Sequence, residues 1–502
     1  MKEIQDKKKV DLLIICGDFQ AVRNFTDLNS MCCPSKYRQL GEFYRYYSGE
    51  LVAPIPTIFI GGNHEAGIYN RELYLGGWAA KNIYFMGLSN VIWFKGLRIG
   101  GISGIDNDSN VNKGYYEKFP FHPIERFKSL HHTRIFEIMK LALLKQKIDI
   151  FSSHDWPSEV AVLGDTDSLI KTKPWFKSDI KSGKLGSKHL DFVLKKLKPD
   201  FWFSAHLHVK FKVEILWEKY YNSLKSLDHI APINSTATEN TFSKNEDEIL
   251  LEISDDEANI PSSADFNSVP VNKNSEEIIM TDSDSDNESI NLYKRLKLES
   301  ASVLTNLNLH NKCDTDPNST IIQSHSNNES LSSISYVNTT TEDSITKKNV
   351  KTTFLSLDKC MPRRQYLEYF DFEVPSLQIG NGSGFKYDPE WIAILKTIQP
   401  LIPKNKFIDE NTMNFFKSLS SECDTNSSIS SEIDRNKKAL LNSIDDWNIP
   451  DNFVQTAPSA PRGTDTRSRF PQANNHETSM LFTNPQITKF CEKFGIVDIF
   501  RN

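Results

Sequence analysis

Short apolar runs recur between residues 10 and 215 and predict the strands of an α/β fold. The runs are VDLLIIC, PTIFIGG, NVIWFKGLRIGGISG, IDIFSSH, DFWFSAH and VKFKVEIL, and segments with helical periodicity such as HLDFVLKKL lie between some of them. This rhythm is typical of an α/β sandwich flanked by helices. Several runs are continuously apolar, as expected of strands that are covered on both faces.

The pattern changes at about residue 231, where Asn, Ser, Asp and Glu replace the apolar residues. Stretches such as TDSDSDNESINL cannot bury enough apolar surface to offset the entropy cost of ordering. We therefore predict a long disordered insert over residues 231–350. It carries 21 Asp and Glu against 8 Lys and Arg, a balance of −13, whereas the whole chain carries −6. The remainder is mildly basic, at +7, which is compatible with a polyanionic partner.

Apolar patterning returns after the insert. The segments KTTFLSLDKCMPRRQYLEYFDFEV and YDPEWIAILKTI predict a small C-terminal domain over residues 351–415, following an N-terminal domain over residues 1–230. Residues 416–502 are predicted to be a mostly disordered tail. Within that tail, NPQITKFCEKFGI predicts one short helix at residues 484–496.

Composition argues against a secreted or membrane-spanning protein. The N-terminus MKEIQDKKK lacks the apolar centre of a secretory signal, and no window approaches the roughly 18 apolar residues that cross a bilayer. Seven cysteines, an odd number without CxxC spacing, indicate neither a disulfide framework nor a zinc ribbon. We expect an intracellular, soluble protein without a membrane partner.

Polar residues that bind metals follow four of the predicted strands. They occur in CGDF, GGNHE, SSHDWP and SAHLH, and the candidate metal ligands are Asp18, Asn63, His154, His206 and His208. The carboxyl ends of strands in an open α/β sheet converge on one crevice, so side chains far apart in sequence can meet there. Mixed Asp, Asn and His donors suit a divalent transition metal such as Fe, Zn or Mn.

Each of these motifs alone has a simpler interpretation. Asp18 could cap a helix, His154 could be a hydrogen-bonded core histidine, and the Asn63–His64 pair could form a tight turn. The two histidines of HLH, if they lie in a strand, point to the same face of the sheet. The succession of all four motifs, each after an apolar run, favours a metal site.

The order GD, GNHE, H and HxH resembles the calcineurin-like metallophosphoesterase superfamily. Within that superfamily, the phrases VDLLIICGDFQAVRN, PTIFIGGNHE, IDIFSSHDWP, FWFSAHLHVKF, LDKCMPRRQYLEYF and NPQITKFC resemble the RNA lariat debranching enzyme family. Ala205 before the HLH motif follows the debranching-enzyme variant, whereas the general superfamily has Gly there.

The resemblance implies hydrolysis of the 2′,5′-phosphodiester at the branch point of excised intron lariats, in RNA processing and intron turnover. It implies branched RNA as the partner and the nucleus, with the cytoplasm second, as the location. By position, Asp18, Asn63, His154 and His206 would hold one metal, and His208 with Asp18 would reach toward a second. His64 would donate a proton to the leaving 2′-oxygen or a hydrogen bond to the phosphate, with Glu65 orienting its neighbours.

The family begins one strand earlier than this sequence, with a motif that ends in a histidine. MKEIQDKKKVDLL resembles instead the end of a first helix that leads into the second strand. We therefore expect a clipped N-terminus or a natural isoform, with one metal position short of ligands and the sheet short of an interior strand. We expect a chain of this kind to fold poorly and to be weakly active or inactive.

The segment 104–134 is a candidate for contacting RNA because cations alternate with aromatic rings along it. Cations bind phosphates and rings stack on unpaired bases, although the same residues could equally pack the following helix. In the related family this region clasps the lariat. The candidate substrate-binding residues are Lys113, Tyr115, Tyr116, Lys118, Arg126, Lys128 and Arg134. Arg363 and Arg364 are equally compatible with holding RNA and with anchoring a packed element.

Two rival functions remain open from the sequence. One is a metallophosphoesterase of another specificity, which would not select 2′,5′ linkages. The other is a branched-RNA-binding protein that has lost catalysis with the first pair of ligands. Protein partners are unknown.

Overall fold

The computed structural model describes residues 9–33, 37–118, 125–228, 351–373, 384–418, 427–468 and 481–501. The insert predicted at 231–350 lies outside the described residues. Two sheets pack together. The smaller sheet contains β1 (Leu13–Ile15), β2 (Thr57–Phe59), β3 (Gly77–Ala80) and β4 (Ile83–Phe85), in the order β1-β2-β4-β3. β1 pairs with β2 in parallel and forms an edge of this sheet in the part of the chain described.

The larger sheet has seven strands in the order β11-β5-β6-β7-β8-β10-β9. β6, β7, β8 and β10 run in parallel, and antiparallel strands complete both edges. Their bounds are β5 (Ser89–Phe94), β6 (Leu97–Ile102), β7 (Ile150–Ser153), β8 (Phe201–Ser204), β9 (Phe211–Leu216), β10 (Lys351–Ser356) and β11 (Phe385–Tyr387).

Apolar side chains of both sheets interdigitate between them. Ile58 and Met86 from the smaller sheet pack with Ile99, Ile150 and Phe385 from the larger one. The apolar residues of β2 and β7 fit strands that are buried on both faces, whereas the residues of β8 alternate between half-buried and buried. The predicted α/β sandwich flanked by helices is confirmed.

Helices cover the outer faces of both sheets. The longer ones form where an apolar stripe follows a capping residue: Ser187 accepts the backbone N–H of Leu190 and begins α8, which buries Leu190, Val193, Leu194 and Leu197. The helices are α1 (Phe43–Tyr47), α2 (Gly67–Glu72), α3 (Glu125–Ser129), α4 (Ile135–Ala142), α5 (Val160–Leu163), α6 (Thr166–Thr172), α7 (Phe176–Ser182), α8 (Lys188–Leu197), α9 (Trp217–Asp228), α10 (Pro389–Ile398), α11 (Glu410–Ser418), α12 (Ser427–Ser443) and α13 (Pro485–Phe494). None of the described helices has the length and apolar content to cross a membrane.

The C-terminal segments are part of the same sheet as the N-terminal ones. β10 lies between β8 and β9, pairing in parallel with the first and antiparallel with the second. The C-terminal domain predicted over 351–415 therefore contributes a strand to the sheet of the N-terminal domain, which apolar content alone does not reveal. Arg98 of β6 reinforces the connection by donating from Nε and Nη2 to the Asp388 carboxylate at 2.8 and 2.9 Å and from Nη2 to Glu390 at 2.8 Å.

Residues 427–468 are ordered, contrary to the prediction of a mostly disordered tail. α12 buries Ile433 and Leu440, seven residues apart on one face of the helix, and packs on α10. Most residues of this helix are polar, so the composition of the segment indicated disorder although the helix has a narrow apolar face. Further on, Thr456 accepts a hydrogen bond from Arg23 Nη1 at 3.0 Å and so holds the tail against the smaller sheet.

Candidate metal centre

The predicted metal ligands all lie in loops at the carboxyl ends of strands. Asp18 follows β1, Asn63 and His64 follow β2, and His154 directly follows β7. His206 and His208 follow β8, which ends at Ser204, so the assumption that HLH lies in a strand is wrong. The loop is required because β8 must turn before the chain enters β9 at Phe211.

Three of these residues adopt the left-handed backbone conformation. Asp18 has φ of 51°, His206 of 64° and His208 of 50°. This conformation is sterically costly for residues other than glycine and concentrates at functional sites. The loops therefore hold these side chains at the expense of local backbone strain.

Two glycines permit the close approach of the loops. A Cβ atom on Gly17 would lie 2.2 Å from His154 Nδ1, and one on Gly62 would lie 2.2 Å from Asp18 Oδ1. Any larger residue at either position would displace a candidate ligand. The glycines of the GD and GGNHE motifs thus serve the packing of the centre itself.

Asp18, Asn63 and His154 form the convergent part of the centre. His154 Nδ1 donates to the carbonyl oxygen of Cys16 at 2.7 Å, so in the neutral ring the Nε2 lone pair faces inward. Nε2 then lies 3.1 Å from Asn63 Oδ1 and 3.5 Å from Asp18 Oδ1. Three electron-pair donors that face one another repel unless a positive charge lies between them.

This arrangement fits a divalent cation. Ligand atoms about 2.1 Å from one ion are separated by roughly 3.0–3.4 Å, close to the observed spacings. A ligand histidine that donates its other N–H to a backbone carbonyl is the usual outer support. Among the described residues no three Asp, Glu, His or Cys side chains are placed to share one ion. The Asn63 amide oxygen, with Asp18 and His154, completes the candidate set of three.

His206 and His208 are placed less tightly. The ring of His206 lies 5.0 Å from that of His154, between centroids, whereas His208 is linked to Asp18 and His154 only through longer-range charge interactions. Burial lowers the pKa of His206 to about 3 and that of His208 to about 4. Both imidazoles are thus neutral near pH 7, as metal ligands must be.

The electrostatics keep Asp18 ionised. Burial alone would raise its pKa, but His154, His64 and the backbone N–H of His64, which donates to Oδ1 at 2.9 Å, together hold the pKa below its ordinary value.

His64 presents an uncommitted nitrogen beside this carboxylate. The Asn63 amide donates to its Nε2 at 3.3 Å, so in the neutral ring the proton is on Nδ1. Nδ1 is buried, and it has no hydrogen-bond partner among the described residues.

Glu65 joins the first two loops of the centre. Its carboxylate accepts the backbone N–H groups of Phe19, Gln20 and Gly62 at 2.8–3.0 Å. Burial, with Asp18 close by, raises its pKa to about 7. The residue positions its neighbours, as the resemblance suggested.

A second set of contacts joins the other two loops. Trp156 Nε1 donates to the Ala205 carbonyl at 2.9 Å, and the backbone N–H of Ala205 donates to the His154 carbonyl at 3.0 Å. Trp156 Nε1 also contacts Ser356 Oγ at 3.1 Å. Strand β10 therefore supports the loop that carries His206.

The segment 104–134 divides into buried and accessible residues. Tyr115 is in the core and donates its hydroxyl to Glu137 at 2.6 Å, and Arg134, 1% exposed, forms an ion pair with Glu117. Predicting these two as RNA contacts is wrong, because buried carboxylates draw them inward. Lys113, Tyr116 and Lys128 are half-buried and Lys118 is exposed, whereas the side chain of Arg126 is outside the described part.

The sequence interpretation missed a cation and a ring from the C-terminal half. Lys406 lies over the ring of Tyr116, 5.7 Å from its centroid, and the adjacent Phe407 is 82% exposed. Gly114 makes the approach possible, since a Cβ there would lie 2.4 Å from the carbonyl oxygen of Asn405. Cations next to an aromatic residue in KNKF, at 404–407, are the pattern that could have indicated an RNA contact. Only the fold shows that this segment lies beside Tyr116.

Two family models match this chain. One is the calcineurin-like phosphoesterase, over residues 1–210, and the other is the C-terminal domain of the lariat debranching enzyme, over residues 349–499. The chain is 34% identical to the lariat debranching enzyme of Schizosaccharomyces pombe over 493 residues, 97% of this chain and 91% of that protein. This chain belongs to the lariat debranching enzyme family.

Membership of the family confirms the resemblance seen in the sequence and implies a phosphoesterase that depends on a divalent metal. Relatives in Arabidopsis thaliana and Homo sapiens, both named lariat debranching enzyme, are 52% identical over 207 and 202 residues. Those matches cover 41% and 40% of this chain, and 49% and 37% of the relatives. Identity is thus higher over these shorter matches.

Proposed function

We propose that this chain hydrolyses the 2′,5′-phosphodiester bond at the branch point of lariat RNA. The observation that carries the proposal is the convergence of Asp18, Asn63 and His154 beside the uncommitted Nδ1 of His64. The names of the relatives indicate the substrate.

Asp18, Asn63 and His154 would hold the cation, with His206 beside them. When bound, a divalent cation polarises the phosphate and lowers the pKa of a coordinated water. The mixed oxygen and nitrogen donors suit Fe, Zn or Mn. His208 and Asp18 would extend toward a second position.

His64 is the proposed proton donor. Its Nδ1 has no hydrogen-bond partner among the described residues, so it can bind a substrate oxygen provided that substrate binding exposes this buried atom. The imidazolium form of His64 would pass a proton to the leaving 2′-oxygen as the P–O bond breaks, which neutralises the developing charge and leaves a neutral imidazole. The backbone N–H of His64 donates to Asp18, and the Asn63 amide donates to the ring Nε2 of His64. These two contacts position the residue for that role.

Two groups of basic residues support an RNA substrate. Lys359 and Lys173 act electrostatically on His208, and Arg364 acts on Lys173. In the second group, Lys113 and Lys406 act on each other. Such groups bind phosphates without reading sequence, whereas exposed rings such as Phe407 can stack on unpaired bases.

The test compares a 2′,5′-branched RNA with a linear 3′,5′ RNA of the same composition. The full chain is stripped with a chelator and reloaded separately with Fe, Zn or Mn. We expect cleavage of the branch alone, restored by at least one metal. Equal cleavage of both RNAs would indicate a phosphoesterase of other specificity, and tight binding of branched RNA without cleavage under any metal would indicate a non-catalytic binding protein.

A further inference from the structure

A cavity beside the metal centre contains a buried cation that the proposed reaction does not use. The cavity offers about 30 Å³ to the centre of a water molecule, within about 500 Å³ of empty space that includes open solvent. It lies between the end of β2, helix α2 and residues 131–134, and its lining includes Gly62, Asn70, Arg71, His131 and Arg134. Gly62 belongs to the loop that carries Asn63 and His64, so the cavity adjoins the centre.

Arg71 is 7% exposed and has no hydrogen bond or ion pair within the described ranges. Its guanidinium carbon lies 3.2 Å from the ring centroid of Phe500 and 5.4 Å from that of Tyr115. Burial lowers its pKa to about 10, so it is charged at neutral pH. A buried charge without a hydrogen-bonding partner is expensive, and proteins retain few of them.

The neighbouring carboxylates are largely committed to other groups. Glu117 Oε1 accepts from Ser129 and Arg134, and Glu137 accepts from Ser89 and Tyr115 and pairs with Lys140. Glu117 attracts Arg71 at longer range but forms no ion pair with it. Its Oε2 is buried and has no partner among the described residues, so it is a competing acceptor for Arg71.

His131 adds a second uncommitted group. It is buried, and its Nε2 has no hydrogen-bond partner in the described structure. A Cβ on Gly67 would lie 3.2 Å from its Cε1, so the ring packs against the start of helix α2. Arg71 and His131 therefore line one cavity without hydrogen-bond partners for their side chains among the described residues, and the neutral His131 ring can donate there from its Nε2–H tautomer.

We propose that this cavity is a subsite for a phosphate group, held by Arg71 and His131. A guanidinium pairs with two phosphate oxygens at once, and its fork geometry suits a tetrahedral anion. The group belongs to the RNA chain next to the cleaved bond, an assignment that rests on the proposed function. Free inorganic phosphate has the same chemistry and is the other source.

The competing interpretation is that Arg71 only stacks on Phe500 and so fixes the C-terminal segment. Arg71→Met removes the charge and keeps an apolar side chain that can pack on the Phe500 ring. Arg71→Lys keeps the charge but lacks the forked guanidinium that pairs with two phosphate oxygens. His131→Asn is a second variant with a smaller expected effect. Lys81→Met, which removes an exposed cation from the loop after β3, is the matched control.

The first arm measures the affinity of full-length protein for branched RNA in chelator, where no cleavage is needed. Arg71→Met is expected to weaken binding about 10-fold or more, because a hydrogen bond to a charged group is lost. The slope of log affinity against log salt should fall by about 0.7. Arg71→Lys should lie between this variant and wild type, and Lys81→Met should match wild type.

The second arm titrates inorganic phosphate and follows thermal unfolding. Phosphate should raise the midpoint of wild type and not that of Arg71→Met. Loss of this phosphate effect with unchanged RNA affinity would assign the site to free phosphate and overturn the RNA source. A folded Arg71→Met protein that binds both ligands as wild type does would overturn the subsite, and if that variant unfolds, His131→Asn decides by the same two measurements.

These outcomes are independent of the reaction. If wild type fails to cleave branched RNA, the proposed function is wrong while the phosphate titration still decides the subsite. If wild type cleaves and the Arg71 variants bind normally, the subsite is wrong and the function stands.

Discussion

The loops of the metal centre and the segment 104–134 differ in how their side chains are placed. Both are rich in residues capable of chemistry. In the loops, Asp18, Asn63 and His154 converge although they are up to 136 positions apart. In the segment, Tyr115 and Arg134 turn into the core while Lys118 faces solvent.

The contrast has a physical cause. A buried strand fixes where its last residue lies, so residues that follow strands of the two packed sheets can meet at one end of the sandwich. A connecting segment has no such constraint, and its side chains pair with whatever the fold places beside them. Here Glu117 pairs with Arg134 and Glu137 accepts a hydrogen bond from Tyr115, although the sequence pattern suggested both residues as RNA contacts.

The largest effect is expected in the loops. Asp18→Asn removes the charge of the only carboxylate among the three convergent donors, so branched-RNA cleavage should fall by at least about 100-fold, more than losses from outer-shell changes. Asp167→Asn, at an exposed position on α6, is the control. Cleavage rate and bound metal are measured together, and an active Asp18→Asn protein with full metal content would remove Asp18 from the centre.

In the segment, Arg134→Met should act on stability. Breaking one side of a buried ion pair costs about 3–5 kcal/mol, because Glu117 is left buried and uncompensated. Urea unfolding measures the change, and Lys118→Met, at an exposed position, should be nearly neutral. A stable Arg134→Met protein with weakened RNA binding would restore the original prediction and remove the contrast.

A smaller effect is expected where the segment meets the C-terminal half. Lys113→Met and Lys406→Met should each weaken RNA binding and lower the salt slope by about 0.7 if each neutralises one phosphate. Unfolding free energies should stay unchanged, since neither lysine is fully buried. Unaltered slopes in both variants would show that RNA does not cross this surface.

The smallest effect is a pH dependence at the start of the segment. Asp106 accepts from Ser187 at 2.7 Å and lies 2.8 Å from His189 Nδ1 on α8. Burial opposes both charges, but the pair raises the pKa of His189 above 6.5 and lowers that of Asp106 below 3.8. The pair therefore stabilises most between those values and progressively less as the pH rises through the raised histidine pKa.

Thermal midpoints of wild type and His189→Gln test this dependence. Their difference should be largest near pH 5 and shrink toward alkaline pH, and Asp106→Asn should behave in the same way. A difference that does not change with pH would mean that His189 and Asp106 interact without charge.

The sequence predicted the sandwich and the loops that carry the candidate ligands, because apolar runs and the polar residues after them are local signals. It did not predict that β10 pairs inside the larger sheet, since strand pairing across a long insertion leaves no local trace. It also missed α12, whose stripe of Ile433 and Leu440 is too narrow to change the composition. Arg71 and His131 gained meaning only once their lack of partners could be seen.

Because β10 lies inside the larger sheet, the sheet cannot be completed until the ribosome has made the insert that precedes β10. At about 5–20 residues per second, the ribosome needs roughly 6–25 s to make the stretch between α9 and β10. During that interval β8 and β9 cannot yet pair with β10, which lies between them in the folded sheet. Ser356 of β10 is also not yet present to accept the hydrogen bond from Trp156, which contacts the loop of His206. In a nascent chain the candidate metal centre therefore reaches its final packing late, when residues far along the sequence from all the candidate ligands have been made.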